Sequence, residues 1–145
     1  MAPLNKSKQW LKQLKIYLQQ ELIHHPYLIV LGDFNIAPED KDIHDPQMWQ
    51  GNVLVSPEER QALKAILALG FKDSFRLFNN APGHYTWWDY RAGAFRQNHG
   101  LRIDHILSSN ALTPQCIACE IDKEIRRWEK PSDHVPVIAT YQNIS

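Results

Sequence analysis

Cysteine is scarce in this chain, its formal charges cancel and it has no long apolar run, and each shortage excludes something. The two cysteines, Cys116 and Cys119, stand as C-x-x-C. They lack the second pair or neighbouring histidines that zinc would need. On an extended strand the two fall on opposite faces, and they read as small core residues. Sixteen basic residues balance sixteen acidic ones, so any affinity for nucleic acid has to come from a local patch and not from global attraction. No stretch approaches the roughly 20 apolar residues of a membrane helix, and no signal peptide precedes the first predicted helix. A soluble, cytoplasmic protein with no membrane contact is expected. Internal repeats and low-complexity segments are absent as well.

What is present fits one domain, since 145 residues are enough to bury a real core. From Ser7 to Ile23, Trp10, Leu11, Leu14, Tyr17, Leu18 and Leu22 recur at helical spacing, which predicts an amphipathic helix ended by His24, His25 and Pro26. Leu28 to Asn35 (L-I-V-L-G-D-F-N) predicts a fully buried strand that delivers Asp33 and Asn35 to its carboxyl end, where ligands of open sheets gather. The same letters also describe an Asx turn. Ala37 to Val55 has loop composition with room for one helical turn, and its acidic residues read as a solvated loop because a calcium loop's Gly and terminal Glu are missing. Ser56, Pro57 and Glu59 predict a capped second helix that runs to Gly70. Four short strands follow, at Tyr85 to Asp89, Leu101 to Ser108, Cys116 to Ile121 and Val135 to Tyr141. The order implies an α/β layered domain with a mixed sheet.

Three polar spots interrupt these strands. Asp104 lies inside L-R-I-D-H-I-L, where a carboxylate needs a partner to be tolerated. Asp133 and His134 stand at the entrance to the last strand. Pairing Asp104 with His134 fixes the imidazole tautomer and favours its protonation. Asp33, Asn35 and Asp133 add the oxygen-rich chemistry that a hard cation such as Mg²⁺ prefers.

Four segments, L-G-D-F-N-I-A-P from Leu31, Y-T-W-W-D-Y-R from Tyr85, G-L-R-I-D-H-I-L from Gly100 and K-P-S-D-H-V-P-V from Lys130, resemble in order and spacing the signatures of the carboxyl-terminal half of the exonuclease III family. The resemblance implies Mg²⁺-dependent (or Mn²⁺-dependent) hydrolysis of DNA phosphodiesters in base-excision repair, on duplexes with abasic sites or 3′-blocked ends. By position, Asp33 would orient or deprotonate the attacking water, and Asn35 would bind the scissile phosphate. His134 would donate to that phosphate with Asp104 as its orienter, and Asp133 would lie near the metal. Trp87, Leu101 and Ile103 would line an apolar pocket for a base-less sugar, with a twist where Ile103 meets Asp104. On the residues themselves, Arg91, Arg96 and Arg102 after the Trp-rich stretch favour nucleic acid, and the cluster Arg126, Arg127 and Lys130 is either a solvated face or a contact to the DNA backbone.

The resemblance also implies a fold: residues 1–145 as one half of a four-layer α/β sandwich, with one mixed, mostly antiparallel sheet and helices on one face. The family's metal-binding glutamate belongs to the amino-terminal half, and Gln20 and Glu21 do not replace it because they sit inside the first helix. The other sheet face would then be an apolar patch, with self-association or capture of the missing half as the consequence. Other phosphodiesterases or phosphatases of the same superfamily, and a catalytically silent DNA-binding or assembly module, are the competing readings.

Overall fold

The computed structural model describes residues 3–143. Helix α1 spans Pro3–His24, four residues earlier than its apolar stripe predicts, with a proline at its first position where the missing N–H costs nothing. Its Leu11 and Leu18 are buried. They share a core with Leu63 and Ile66 of α3 (Pro57–Ala68), Phe71, and Leu107. The cap of α3 is the one the sequence predicts: the Ser56 Oγ accepts the Glu59 N–H at 3.1 Å. The loop from 37 to 55 contains a short helix α2 (Pro46–Trp49), flanked by single turns of 3₁₀ helix.

Strand β5 (Asp104–Ser109) is the centre of the main sheet. It pairs antiparallel with β1 (Ile29–Asp33) on one side and with β2 (Phe71–Asp73) on the other. Strand β2, only three residues long between Gly70 and Ser74, carries too short a pattern to be read from sequence. Both helices pack on the same face of this sheet, which gives the α/β layering expected. Two further antiparallel pairs stand beside it, β3 (Trp87–Trp88) with β4 (Gly100–Leu101), and β6 (Cys116–Ile121) with β7 (Val137–Tyr141). The strands therefore form four antiparallel ladders in three sheets where one mixed, mostly antiparallel sheet was expected, and no parallel pair occurs among the described residues.

Two expectations about β1 and β6 are corrected. Strand β1 is not fully buried: Val30 faces the helical core, while Ile29 is 40% and Leu31 66% exposed on the opposite face. The cysteines of β6 do not face opposite ways. A bulge between Cys116 and Ala118 sets Cys116 opposite Tyr141 and Cys119 opposite Ala139, restoring both to one side. Both are free and buried, and burial, ahead of the neighbouring Cys116, pushes the Cys119 thiol up to about 12.

The predicted strand from Leu101 to Ser108 is broken at Arg102 and Ile103, and the break has an ionic cause. Arg102 is 1% exposed and turns inward, its Nε donating to Asp42 at 2.7 Å and its Nη2 to Asp73 at 2.6 Å. Arg76 also pairs with Asp42. Arg102 therefore has no surface for nucleic acid, and Asp42, fully buried, is no part of a solvated loop. Removing one partner of such a buried set costs about 3–5 kcal/mol. The network also ties the long loop from 37 to 55 to the sheet.

His105 completes this centre. Its Nε2 meets the Ile36 carbonyl at 2.8 Å and its Nδ1 meets the Arg102 guanidinium at 3.3 Å. A carbonyl only accepts and a guanidinium only donates, so the ring is the neutral Nε2–H tautomer. Burial first, and then Arg102, hold its pKa below the ordinary 6.5. Burial raises the Asp73 carboxyl, but the Arg102 charge and hydrogen bond outweigh it, and the net direction is downward from 3.8.

Stability is expected to fall with acid in two stages. Both folded values are depressed, so the unfolded chain takes up each proton first. The His105 contribution is complete above its ordinary 6.5 and is lost as pH falls below it. The Asp73 contribution is complete above 3.8 and is lost as pH falls through its folded value. Each proton adds a slope of at most about 1.4 kcal/mol per pH unit. Urea midpoints measured from neutral to acid pH should fall less across 6.5 in His105→Gln than in the native chain and keep the Asp73 stage.

Candidate active site

The site is assembled where β1 and β5 end. Gly32 holds a φ of 147°, a backbone that side chains rarely adopt, and the chain turns out of the ladder directly after Asp33. Asn35 sits at φ 52° and its backbone N–H donates to the Asp33 Oδ1 at 2.9 Å, so the Asx turn and the exposed polar pair coexist. Between them Phe34 is buried and tilts against the His105 ring, with centroids 5.7 Å apart. The β1–β5 register places Asp33 directly opposite Asp104. Across from both, the segment from Ser132 to His134 is shaped by the Ser132 Oγ, which accepts the His134 N–H at 3.1 Å. A β-bridge between His134 and Trp87 holds this segment to β3.

His134 lies between the two carboxylates. Its Nδ1 is 2.9 Å from the Asp104 Oδ2 and its Nε2 is 3.7 Å from the Asp33 Oδ2. One ligand-type atom from each of the three residues falls within 4.8 Å of the others. Since an ionised carboxylate only accepts, Nδ1 carries the proton given to Asp104. Nε2 then faces Asp33 and the opening. Partial burial pulls the imidazole pKa down, but the Asp104 hydrogen bond and the charges of Asp104, Asp33 and Asp133 outweigh it and carry the pKa above 6.5. Such an arrangement presents a proton donor and an acceptor carboxylate to one spot, the pairing needed to activate water beside a developing negative charge.

The other expected site residues are distributed differently. The Asn35 side chain is exposed and has no hydrogen-bond partner among the described residues. Asp133 is outside the close cluster, with its Oδ2 accepting from the Trp87 Nε1 at 2.9 Å. Trp87 is half-buried and meets Trp49 edge to face. Leu101 and Ile103 offer no pocket surface, being 0% and 2% exposed in a core with Ala37 and Ile43. The pairing of Trp87 with Leu101 sets the two side by side, and residues of the loop from 37 to 55 pack on the same cluster. Arg91 is 86% exposed and paired only with the surface Asp89. Arg126 is a correction of the basic cluster: it is buried, donates to the Trp88 and Asp89 carbonyls, and stacks on Tyr90. Arg127 and Lys130 remain exposed.

Sequence reasoning missed Thr86 and His105. Thr86 is fully buried and its Oγ1 accepts the backbone N–H groups of Ile103 and Asp104. A threonine before a Trp-Trp pair carries no signal of this. His105, next to Asp104, did carry one, an imidazole at the centre of an apolar strand.

Comparison with known proteins adds the family and the fold. A sequence model of the Endonuclease/Exonuclease/phosphatase family matches residues 2–134. The chain is 39% identical over 136 residues to exodeoxyribonuclease III of Haemophilus influenzae, covering 89% of this chain and 51% of that protein. Among solved structures, it superposes on the 3′ phosphatase NExo from Neisseria, bound to a product DNA hairpin, with a TM-score of 0.94 at 40% identity, over 97% of this chain and 55% of that one. An AP endonuclease from Archaeoglobus fulgidus gives a TM-score of 0.91 at 37% identity, over 95% and 54% of the two chains. The chain spans about half the length of the curated relatives named here.

In proton NMR spectra the His134 Nδ1 proton should appear far downfield, and the ring should titrate above 6.5. Asp104→Asn should lower that midpoint and abolish the downfield signal. An unchanged titration in that variant would mean the pair is not formed in solution.

Proposed function

The chain belongs to the Endonuclease/Exonuclease/phosphatase family, and from that premise we propose that it takes part, in the cytoplasm, in divalent-metal-dependent hydrolysis of DNA phosphodiesters at abasic sites and 3′ ends, as in base-excision repair. The observation that carries the reading is the convergence of Asp33, Asp104 and His134 within 4.8 Å. Asp33 orients the attacking water and takes its proton, for which a positioned base contributes typically about 10²- to 10⁴-fold. His134, held by Asp104 through Nδ1, points Nε2 at the phosphate oxygens, where one donor contributes about 10²- to 10³-fold. The unpartnered Asn35 amide binds the same phosphate. Arg91, exposed and paired with Asp89, contacts the DNA backbone, and the exposed part of Trp87 meets the sugar.

The donor set fits Mg²⁺, with Mn²⁺ as an alternative, because Mg²⁺ takes one or two carboxylates and fills its remaining positions with water and phosphate oxygens. Asp104 is committed to His134, so the carboxylates open to a cation are Asp33 and the free oxygen of Asp133. A cation held by these carboxylates would supply neutralisation of phosphate charge and stabilisation of the leaving oxygen. A second reading, removal of a 3′-terminal phosphate, draws support from the Neisseria 3′ phosphatase among the structural neighbours; the same residues serve both, with a different leaving group.

We further infer that the face bearing Ile29 and Leu31, exposed here, is covered in the working enzyme by a complementary polypeptide or a second copy of this chain. The chain matches only 51% of its Haemophilus relative, and the covering partner would bring a further carboxylate for the cation. Alone, the chain would then cleave poorly.

His134→Ala and Asp33→Asn should each lower cleavage of an abasic duplex by about 10²- to 10³-fold while leaving binding of that duplex within twofold; intact binding with no turnover to lose in the parent chain would point to a silent DNA-binding module. Chelation with EDTA should stop turnover. Abasic, 3′-phosphate and intact duplexes assayed side by side will separate the two readings. Sedimentation at tens of micromolar should show species larger than a monomer, and a monodisperse monomer would count against a covered face.

A further inference from the structure

We propose that Thr86 is a positioning residue whose hydroxyl sets Asp104 against His134, so that the reach of the imidazole depends on a side chain outside the catalytic cluster. The inference rests on the reading of that cluster given above and names what holds it in place. Thr86 is fully buried, immediately before β3. Its backbone N–H donates to the Leu101 carbonyl at 2.9 Å, and its own carbonyl accepts the Val135 N–H at 2.9 Å. Its Oγ1 accepts the N–H of Ile103 at 3.1 Å and of Asp104 at 3.2 Å. One residue is therefore bonded to Asp104 itself, to the residue after His134 and to the end of β4.

The hydroxyl acts where the backbone ladder cannot. Strand β4 ends at Leu101 and β5 begins at Asp104. Between them Arg102 is drawn inward by Asp42 and Asp73, and its N–H goes to the Asp42 carbonyl. Thr86 Oγ1 bridges that gap by collecting two successive N–H groups. The His134 side of the pair has other fastenings that do not use the hydroxyl. Trp87 donates its indole N–H to Asp133, the Trp88 N–H donates to the Asp133 carbonyl, and Thr86 holds Val135 through its backbone. Loss of the hydroxyl thus leaves the Asp104 N–H without its partner and loosens the start of β5, which the β1 ladder flanks, while His134 stays where it is. A 2.9 Å hydrogen bond tolerates little of that movement, and a misplacement of about 1 Å in a catalytic constellation costs on the order of 10²-fold in rate.

Thr86→Val keeps the shape and both backbone bonds and removes only the acceptor. Thr86→Ser keeps the acceptor and loses a methyl group. The readout is the downfield His134 Nδ1 proton, recorded without substrate or metal, together with amide exchange at Ile103 and Asp104. Thr86→Val should lose the downfield signal and speed exchange at both amides by at least about tenfold. Thr86→Ser should retain both. In cleavage of an abasic duplex, Thr86→Val should lower kcat by about 10- to 100-fold with KM within twofold, and Thr86→Ser should restore it. A folded Thr86→Val that keeps the downfield proton overturns the proposal. If Thr86→Val does not fold, Thr86→Ser decides: loss of the signal in a natively folded serine variant overturns it and retention supports it. Because the NMR arm needs no turnover, it tests Thr86 even where the assignment of DNA cleavage to this cluster fails.

Discussion

The antiparallel register of β1 on β5 is the constraint from which the rest of the site follows. It places Asp33 opposite Asp104, two like charges that disfavour each other across a strand pair. The imidazole of His134, 2.9 Å from one and 3.7 Å from the other, is the group that makes this tolerable. A slip of one residue would turn every β1 side chain to the other face and bring Gly32 to that place. The helical core guards against the slip, since Val30 packs on the cluster that also holds Leu11, Leu63 and Leu107.

Behind this register stands a second layer of buried polar contacts. Asp42, Asp73, Arg76 and Arg102 neutralise one another out of water, and His105 joins them as a neutral ring between Arg102 and the Ile36 carbonyl. The layer links the loop from 37 to 55, β2 and β5. It leaves Arg91, Arg127 and Lys130 on the surface, the first two in exposed pairs with Asp89 and Glu124, and it separates the arginines that build the fold from those that can meet a polyanion.

Much of this was legible in the sequence, and the exceptions share a cause. The cap at Ser56, the stripe of α1 and the polar ends at Asp33, Asp104 and His134 are local signals, each written in a few adjacent letters. The destinations of Arg102 and Arg126 are not local. Both belong to sets of basic residues that suggest a DNA-facing patch, yet each is claimed by distant groups, Asp42 and Asp73 in one case and the Trp88 and Asp89 carbonyls in the other. The same holds for Leu101 and Ile103, which a loop some 50 residues earlier in the chain turns from pocket wall into core. The cysteine pair was misjudged because one bulge residue reverses the alternation of β6, and no composition rule announces a bulge.

The open position of β1 has a further consequence for the life of the chain before it reaches any partner. In the order β1, β5, β2 it is an outermost strand, so one row of its backbone donors and acceptors meets no other strand among the described residues. Ile29, Val30 and Leu31 carry neither lysine nor proline, the residues that natural proteins use as gatekeepers against unwanted edge-to-edge growth. The turn forced by Gly32 and the charge of Asp33 act as brakes against templated aggregation. Residues that close the site therefore also restrain the strand that carries them.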